Sequence, residues 1–186
     1  MKNLLGIFVV IAAICFNCDG RQTKREAFVK AVAEYNLNTT PLPAVIFSPD
    51  RNVEIVTDTL IANSLNVRIR NYSLMDAQIV VSRTEMNNSS QIQYQRIFES
   101  EITITKASKS ILSTHISAKQ FKGWSTDPFW KDATLQHTWV NQELSSADAI
   151  TLEISFINPN TKGYKLYRMY IDTHGKQALH LIEEHS

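Results

Sequence analysis

Four groups of side chains in this chain have types and spacing that could do chemistry. Cys15 and Cys18 stand as C-x-x-C in CFNC, the spacing of redox dithiols and of zinc half-sites. Trp124, Trp130 and Trp139 fall within 16 residues, with Phe129 among them and Phe121 just before. Such rings either stack on a ligand such as a sugar or close the end of a core. Glu99 and Glu101 are two apart, which puts both carboxylates on one face of a strand, where they can divide acid and base roles or serve as solvated charge. His115, His137, His174, His180 and His185 are scattered, and only His180 has an acid, Glu184, at i, i+4. A zinc site needs three or four convergent ligands, so neither a metal nor another cofactor is expected.

Nucleophile motifs are missing from the sequence. It contains no G-x-S-x-G elbow and no S-x-x-K, and no cysteine after residue 18 that could pair with a histidine. Gly123, Gly163 and Gly175 are the only glycines after Gly20, too dispersed to form a phosphate-cradling loop. A catalytic site here would have to assemble from residues distant in sequence, such as His115 or His137 with a carboxylate. No catalytic residue is therefore assigned, and a non-catalytic role is the first expectation.

Position decides how the cysteines are read. Lys2 gives a positive start, Leu4 to Ile14 runs apolar without a charge, and the hydrophilic DGRQTKRE follows at once. That length suits a signal-peptide core and falls short of the roughly 20 residues of a membrane span. Cys15 and Cys18 close the leader, outside any βαβ context that a redox motif needs. The segment resembles the leaders of bacterial lipoproteins, with Cys18, followed by Asp19 and Gly20, matching the cysteine that is diacylated and becomes the mature N-terminus. Cys15, Phe16 and Asn17 depart from the usual lipobox and fit the looser box of Bacteroidota lipoproteins. The resemblance implies lipid attachment, such as palmitate, at Cys18, and an envelope protein anchored to a membrane without spanning it. Cleavage after Gly20, releasing a secreted or periplasmic domain, is the alternative.

The expected organisation is a signal peptide over residues 1–17, a tether over 18–22 and a single β-rich domain over 23–186. At 186 residues the chain is long enough for one domain with a sizeable core. Removing Lys2 from 19 basic and 18 acidic side chains leaves 18 against 18. That balance carries no electrostatic footprint for nucleic acid.

The elements that must position these groups are read from periodicity. Thr23 to Tyr35 reads as a helix, with Thr23 and Glu26 as a capping box and Phe28, Val32 and Tyr35 on one face. Beyond Pro41 and Pro43 the period becomes two. SLNVRIRN, AQIVVSRT, QIQYQRIF, SEITITK, SKSILSTHIS, AITLEISF, YKLYRMYID and QALHLIEE make about eight strands, with a hairpin expected at residues 107–109. Short helices are expected around residues 117–135, capped at Ser125 or Thr126 ahead of Pro128. The fold class is mainly β, an antiparallel sandwich or open barrel with an N-terminal helix. In the order of its elements, from EYNLNTT through DTLIANSLNVRIRNYSLMD and FWKDATLQHTWVN to YKLYRMYIDTHGKQ, the chain is similar to small Bacteroidota lipoproteins, which lend no catalytic motif and no ligand. The partners expected are the membrane, through the N-terminal lipid, and an envelope protein or glycan, the latter engaged by Trp124, Trp130 and Trp139. An envelope enzyme is the second reading.

Overall fold

The computed structural model describes residues 23–38, 43–86 and 89–185. Cys15 and Cys18 lie outside the described residues, as does the whole leader. The chain divides into two compact units between Leu42 and Pro43, so the helix falls in a different unit from the strands.

The described part of the first unit is helix α1, Lys24–Asn38. Its start is a reciprocal cap: the Thr23 N–H donates to Glu26 Oε2 at 3.0 Å and the Glu26 N–H to Thr23 Oγ1 at 3.3 Å. Two amides that no helical turn can satisfy are thereby bonded. Val29, Ala31 and Ala33 stand off the Phe28–Val32–Tyr35 line, so the apolar character is spread more evenly round the helix than a single face requires.

The second unit is mainly β, two sheets of five and four strands that do not close into a barrel. Its elements are β1 (Ala44–Ser48), β2 (Glu54–Ile61), β3 (Leu65–Met86), β4 (Ser89–Lys106), β5 (Lys109–Ile116), α2 (Ala118–Trp124), a 3₁₀ turn (Pro128–Lys131), β6 (Thr134–Val140), β7 (Ala149–Ile157), β8 (Tyr164–Asp172) and β9 (Gln177–His185). In the first sheet β2, β3 and β4 are antiparallel neighbours, and the far edge of β4 is shared. β5 lies antiparallel along Ser100–Lys106, and β1 lies parallel along Gln91–Gln95. The second sheet is the antiparallel meander β6-β7-β8-β9.

Several expected elements are altered. β3 and β4 each join two of the expected strands, because the register shifts between Ser73 and Gln78 and between Val80 and Ser82 bend β3 without ending it. β1, β2 and β6 were not expected. The short helices expected around residues 117–135 are present as α2 and the 3₁₀ turn, which ends at Lys131, and β6 begins at Thr134. The cap of the 3₁₀ turn is Asp127, whose Oδ1 accepts from the Phe129 N–H at 2.8 Å, while Ser125 closes α2. The hairpin at residues 107–109 is present, with Ala107 at φ 48° and Ser108 at φ 66°.

Alternation along the strands builds the core. Val67 and Ile69 of β3, Ile102 and Ile104 of β4, Leu135 of β6, and Ile150, Leu152, Ile154 and Phe156 of β7 belong to one buried cluster. Each such side chain contributes roughly 1.5–3 kcal/mol by leaving water. Polar contacts also lock β6 onto the first sheet: the Phe98 N–H donates to Thr134 Oγ1 at 2.7 Å, and Asn71 bonds the backbone of Thr138.

Candidate functional site

The tryptophans do not share a site. Trp130 is 3% exposed, and its ring lies 4.7 Å from Phe121, 5.0 Å from Phe129 and 5.1 Å from Phe156. With Tyr167, these rings fill the end of the interior where α2 and the 3₁₀ turn stand against the strands. Trp130, for which a core position and a ligand contact were the two readings, is thus a core residue and no ligand contact. Trp124 is 77% exposed at the last residue of α2, and Trp139 is half-buried on β6.

Register places Trp139 on the outer face of the second sheet. Trp139 pairs with Glu153, Glu153 with Arg168 and Arg168 with His180. Since Ile154 and Leu152 point to the core, Glu153 points away from it. The row therefore runs indole, carboxylate, guanidinium, imidazole across four strands.

Its centre is a fixed ion pair. Arg168 donates through Nη2 at 2.6 Å and Nε at 3.2 Å to Glu153 Oε1, which also accepts from Asn141 Nδ2 at 3.0 Å. Burial pushes the Glu153 carboxyl up, but the bonds from Arg168 and Asn141, helped by the Trp139 indole, outweigh it and hold the group below the ordinary carboxylate range. Aromatic rings flank the pair: His137 lies 5.9 Å from Trp139, and Tyr170 lies 5.9 Å from His180.

The outer face of the first sheet carries a second polar constellation. His115 Nε2 is 2.8 Å from Glu99 Oε2, and the Tyr72 hydroxyl stands 3.5 Å from both Glu99 and Glu101. Arg70 bonds Glu54 and Glu101 at 3.0 Å each and lies 4.5 Å over the Tyr72 ring. Burial and the two neighbouring carboxylates raise the Tyr72 phenol above its ordinary value. Glu99 and Glu101 do share a strand face, as their spacing requires, and both are tied to partners on β3.

Among the described residues no group of three or more His, Cys, Asp or Glu side chains is placed to hold a metal ion. No helix among them is long and apolar enough to cross a membrane. His174 lies in the β8–β9 turn and His185 on β9, both exposed. Glu153, Arg168, Asn141, Tyr72 and Arg70 were not singled out from the sequence. The one signal for Glu153 was its position on the wet side of AITLEISF. No protein-family model and no curated protein matches the chain.

Proposed function

We propose that the protein is an exported, lipid-anchored domain of the cell envelope with a non-catalytic binding role. In this reading Cys18 carries the acyl chains, and the outer face of the second sheet around Trp139 takes the partner. One observation carries the binding half: Trp139, Glu153, Arg168 and His180 share one face of the second sheet, with a largely buried ion pair between an exposed imidazole and a half-buried indole, over an interior filled by apolar side chains. Enzymes more commonly gather such groups in a concave pocket.

The anchor half rests on Lys2, the apolar run Leu4 to Ile14 and Cys18. Two or three acyl chains hold a protein stably where one does not. Its test is labelling of cells with a clickable fatty acid, comparing wild type with Cys18→Ala. Loss of label and of membrane fractionation in the variant is expected. Unchanged acylation overturns the anchor and favours the secreted form.

The His115–Glu99 pair at 2.8 Å favours a second reading, an envelope enzyme using that imidazole as a base. Its test is hydrolysis of nitrophenyl ester and phosphoester substrates by wild type and His115→Gln. Turnover lost in the variant supports the enzyme; turnover absent from both, or equal in both, removes it.

A further inference from the structure

We propose that the outer face of the second sheet binds a neutral oligosaccharide lying across β6 to β9, one pyranose ring stacked on Trp139 and its hydroxyls bonded to the Glu153–Arg168 pair. The proposal rests on the binding reading of that face and goes further by naming the class of ligand.

Three features select this chemistry. The first is the order of groups along the row. A pyranose has an apolar C–H face and a rim of hydroxyls, so it needs an aromatic plane beside fixed donors and acceptors. Trp139 with His137, then Glu153 with Arg168, then His180 with Tyr170 alternate in that way. Three strand spacings separate Trp139 from His180, about 14 Å, a span that two or three sugar rings cover.

The second feature is a donor held in place. Glu153 Oε1 accepts from Asn141 Nδ2, Arg168 Nε and Arg168 Nη2, and the Trp139 indole also bonds this carboxylate, which is 9% exposed. The Arg168 guanidinium is thereby fixed while 22% of its side chain stays exposed, so little ordering entropy is left to lose when it donates to a hydroxyl oxygen.

The third feature is charge. Arg168 neutralises Glu153, so the centre of the face offers no uncompensated charge to an anionic or cationic ligand. With only 22% and 12% of the Arg168 and Glu153 side chains exposed, a ligand there meets the accessible edge of the guanidinium and the rings of Trp139 and Tyr170, a surface that suits the hydroxyl rim and the C–H face of a sugar.

The test uses the detergent-solubilised full chain titrated calorimetrically with maltohexaose, cellohexaose, mannohexaose and xylohexaose. Saturable binding of at least one hexaose is expected, weakened about tenfold or more by Trp139→Ala and retained by Trp139→Phe and by Trp124→Ala. Thermal melts of each variant separate lost binding from lost fold. No binding of any hexaose up to about 10 mM, or binding indifferent to Trp139→Ala, overturns the proposal. A photo-crosslinking residue at position 180 tells this failure from failure of the broader reading. A protein crosslinked there in cells leaves the face a binding surface and overturns the sugar.

Discussion

The Asn71 carboxamide is bonded to both backbone groups of Thr138. Nδ2 donates to the Thr138 carbonyl at 3.1 Å, and Oδ1 accepts from the Thr138 N–H at 3.2 Å. Thr138 pairs with Ile154 in the second sheet, and Asn71 belongs to β3 in the first. One side chain therefore does for β6 what another strand would do, satisfying an edge amide and carbonyl that are buried between the sheets. Asn71→Ala removes both bonds and leaves both backbone groups unpaired. The expected cost is about 2–4 kcal/mol, measured as the shift in urea midpoint at constant m-value. Asn71→Asp should recover none of it, because a carboxylate cannot donate to the carbonyl and brings a buried charge. A variant as stable as wild type contradicts the role assigned to Asn71.

Trp130 and Trp124, which both meet Phe121, separate by burial. Trp130 touches Phe121, Phe129 and Phe156, so Trp130→Ala leaves a cavity that the surrounding rings cannot fill. A loss of about 3–5 kcal/mol is expected. Trp124 is exposed and meets Phe121 at 5.8 Å by its edge of the cluster alone, so Trp124→Ala should cost less than about 1 kcal/mol. Comparable thermal destabilisation of the two variants is the result that contradicts this division.

Much of the fold was legible because burial writes itself along a strand with period two. Val67 and Ile69, Ile102 and Ile104, and Ile150 to Phe156 could be assigned to one face from spacing alone, and all are buried. β6 was hidden for a physical reason. Its register slips between Leu135 and His137, which breaks the alternation, and its wet face carries His137 and Trp139, residues that resemble an aromatic cluster more than a strand surface. β1 is short, and its apolar side chains Val45 and Ile46 are exposed, so no alternation marked it. The row Trp139–Glu153–Arg168–His180 could not be read in the sequence, since its members are brought together only by three strand registers. The Glu99–His115 contact was closer to legible, because the hairpin at Ala107 and Ser108 sets β5 against β4.

That hairpin is made with the wrong turn residues. Ala107 and Ser108 both sit at positive φ, the conformation of a two-residue turn that Asn-Gly adopts without penalty and that a Cβ disfavours. Ala107→Asn with Ser108→Gly should stabilise the domain by about 1–2 kcal/mol, seen as a higher melting temperature. A fall in melting temperature contradicts the turn geometry.

Gly175 is the reverse case, a glycine whose position admits no other residue. Its φ is 81°, and a Cβ there would lie 2.6 Å from the carbonyl oxygen of Ile111. The β8–β9 turn thus packs its backbone directly on β5, joining the edges of the two sheets. Gly175→Ala meets both the left-handed strain and a backbone atom that cannot swing aside, so it should cost more than about 1–2 kcal/mol. Chemical denaturation of the variant checks this, and a cost below that of an exposed-site alanine contradicts the close approach.

Acid should weaken the domain through carboxylates held below their ordinary range, Asp127, Asp172 and Glu153 among them. Bonds from Lys165 and the Phe129 amide hold Asp127 below its ordinary range. The amides of Lys176 and His174 do the same for Asp172, and Arg168 with Asn141 overcomes burial to do so for Glu153. Each folded-state value lies below the unfolded one, so each contributes stability that is complete above the unfolded carboxylate range, about pH 4, and is lost as pH falls through the folded values. Lys165 runs the other way. Burial lowers it, but Asp127 and Glu184 outweigh burial and raise it, so its contribution is complete below about pH 10.4 and is lost above. Unfolding free energy measured by urea between neutral pH and pH 2 should therefore decline on the acid side. Lys165→Met, which takes from Asp127 its largest stabilising partner, should flatten that decline. An acid limb as steep in Lys165→Met as in wild type contradicts the assignment of Asp127 to Lys165.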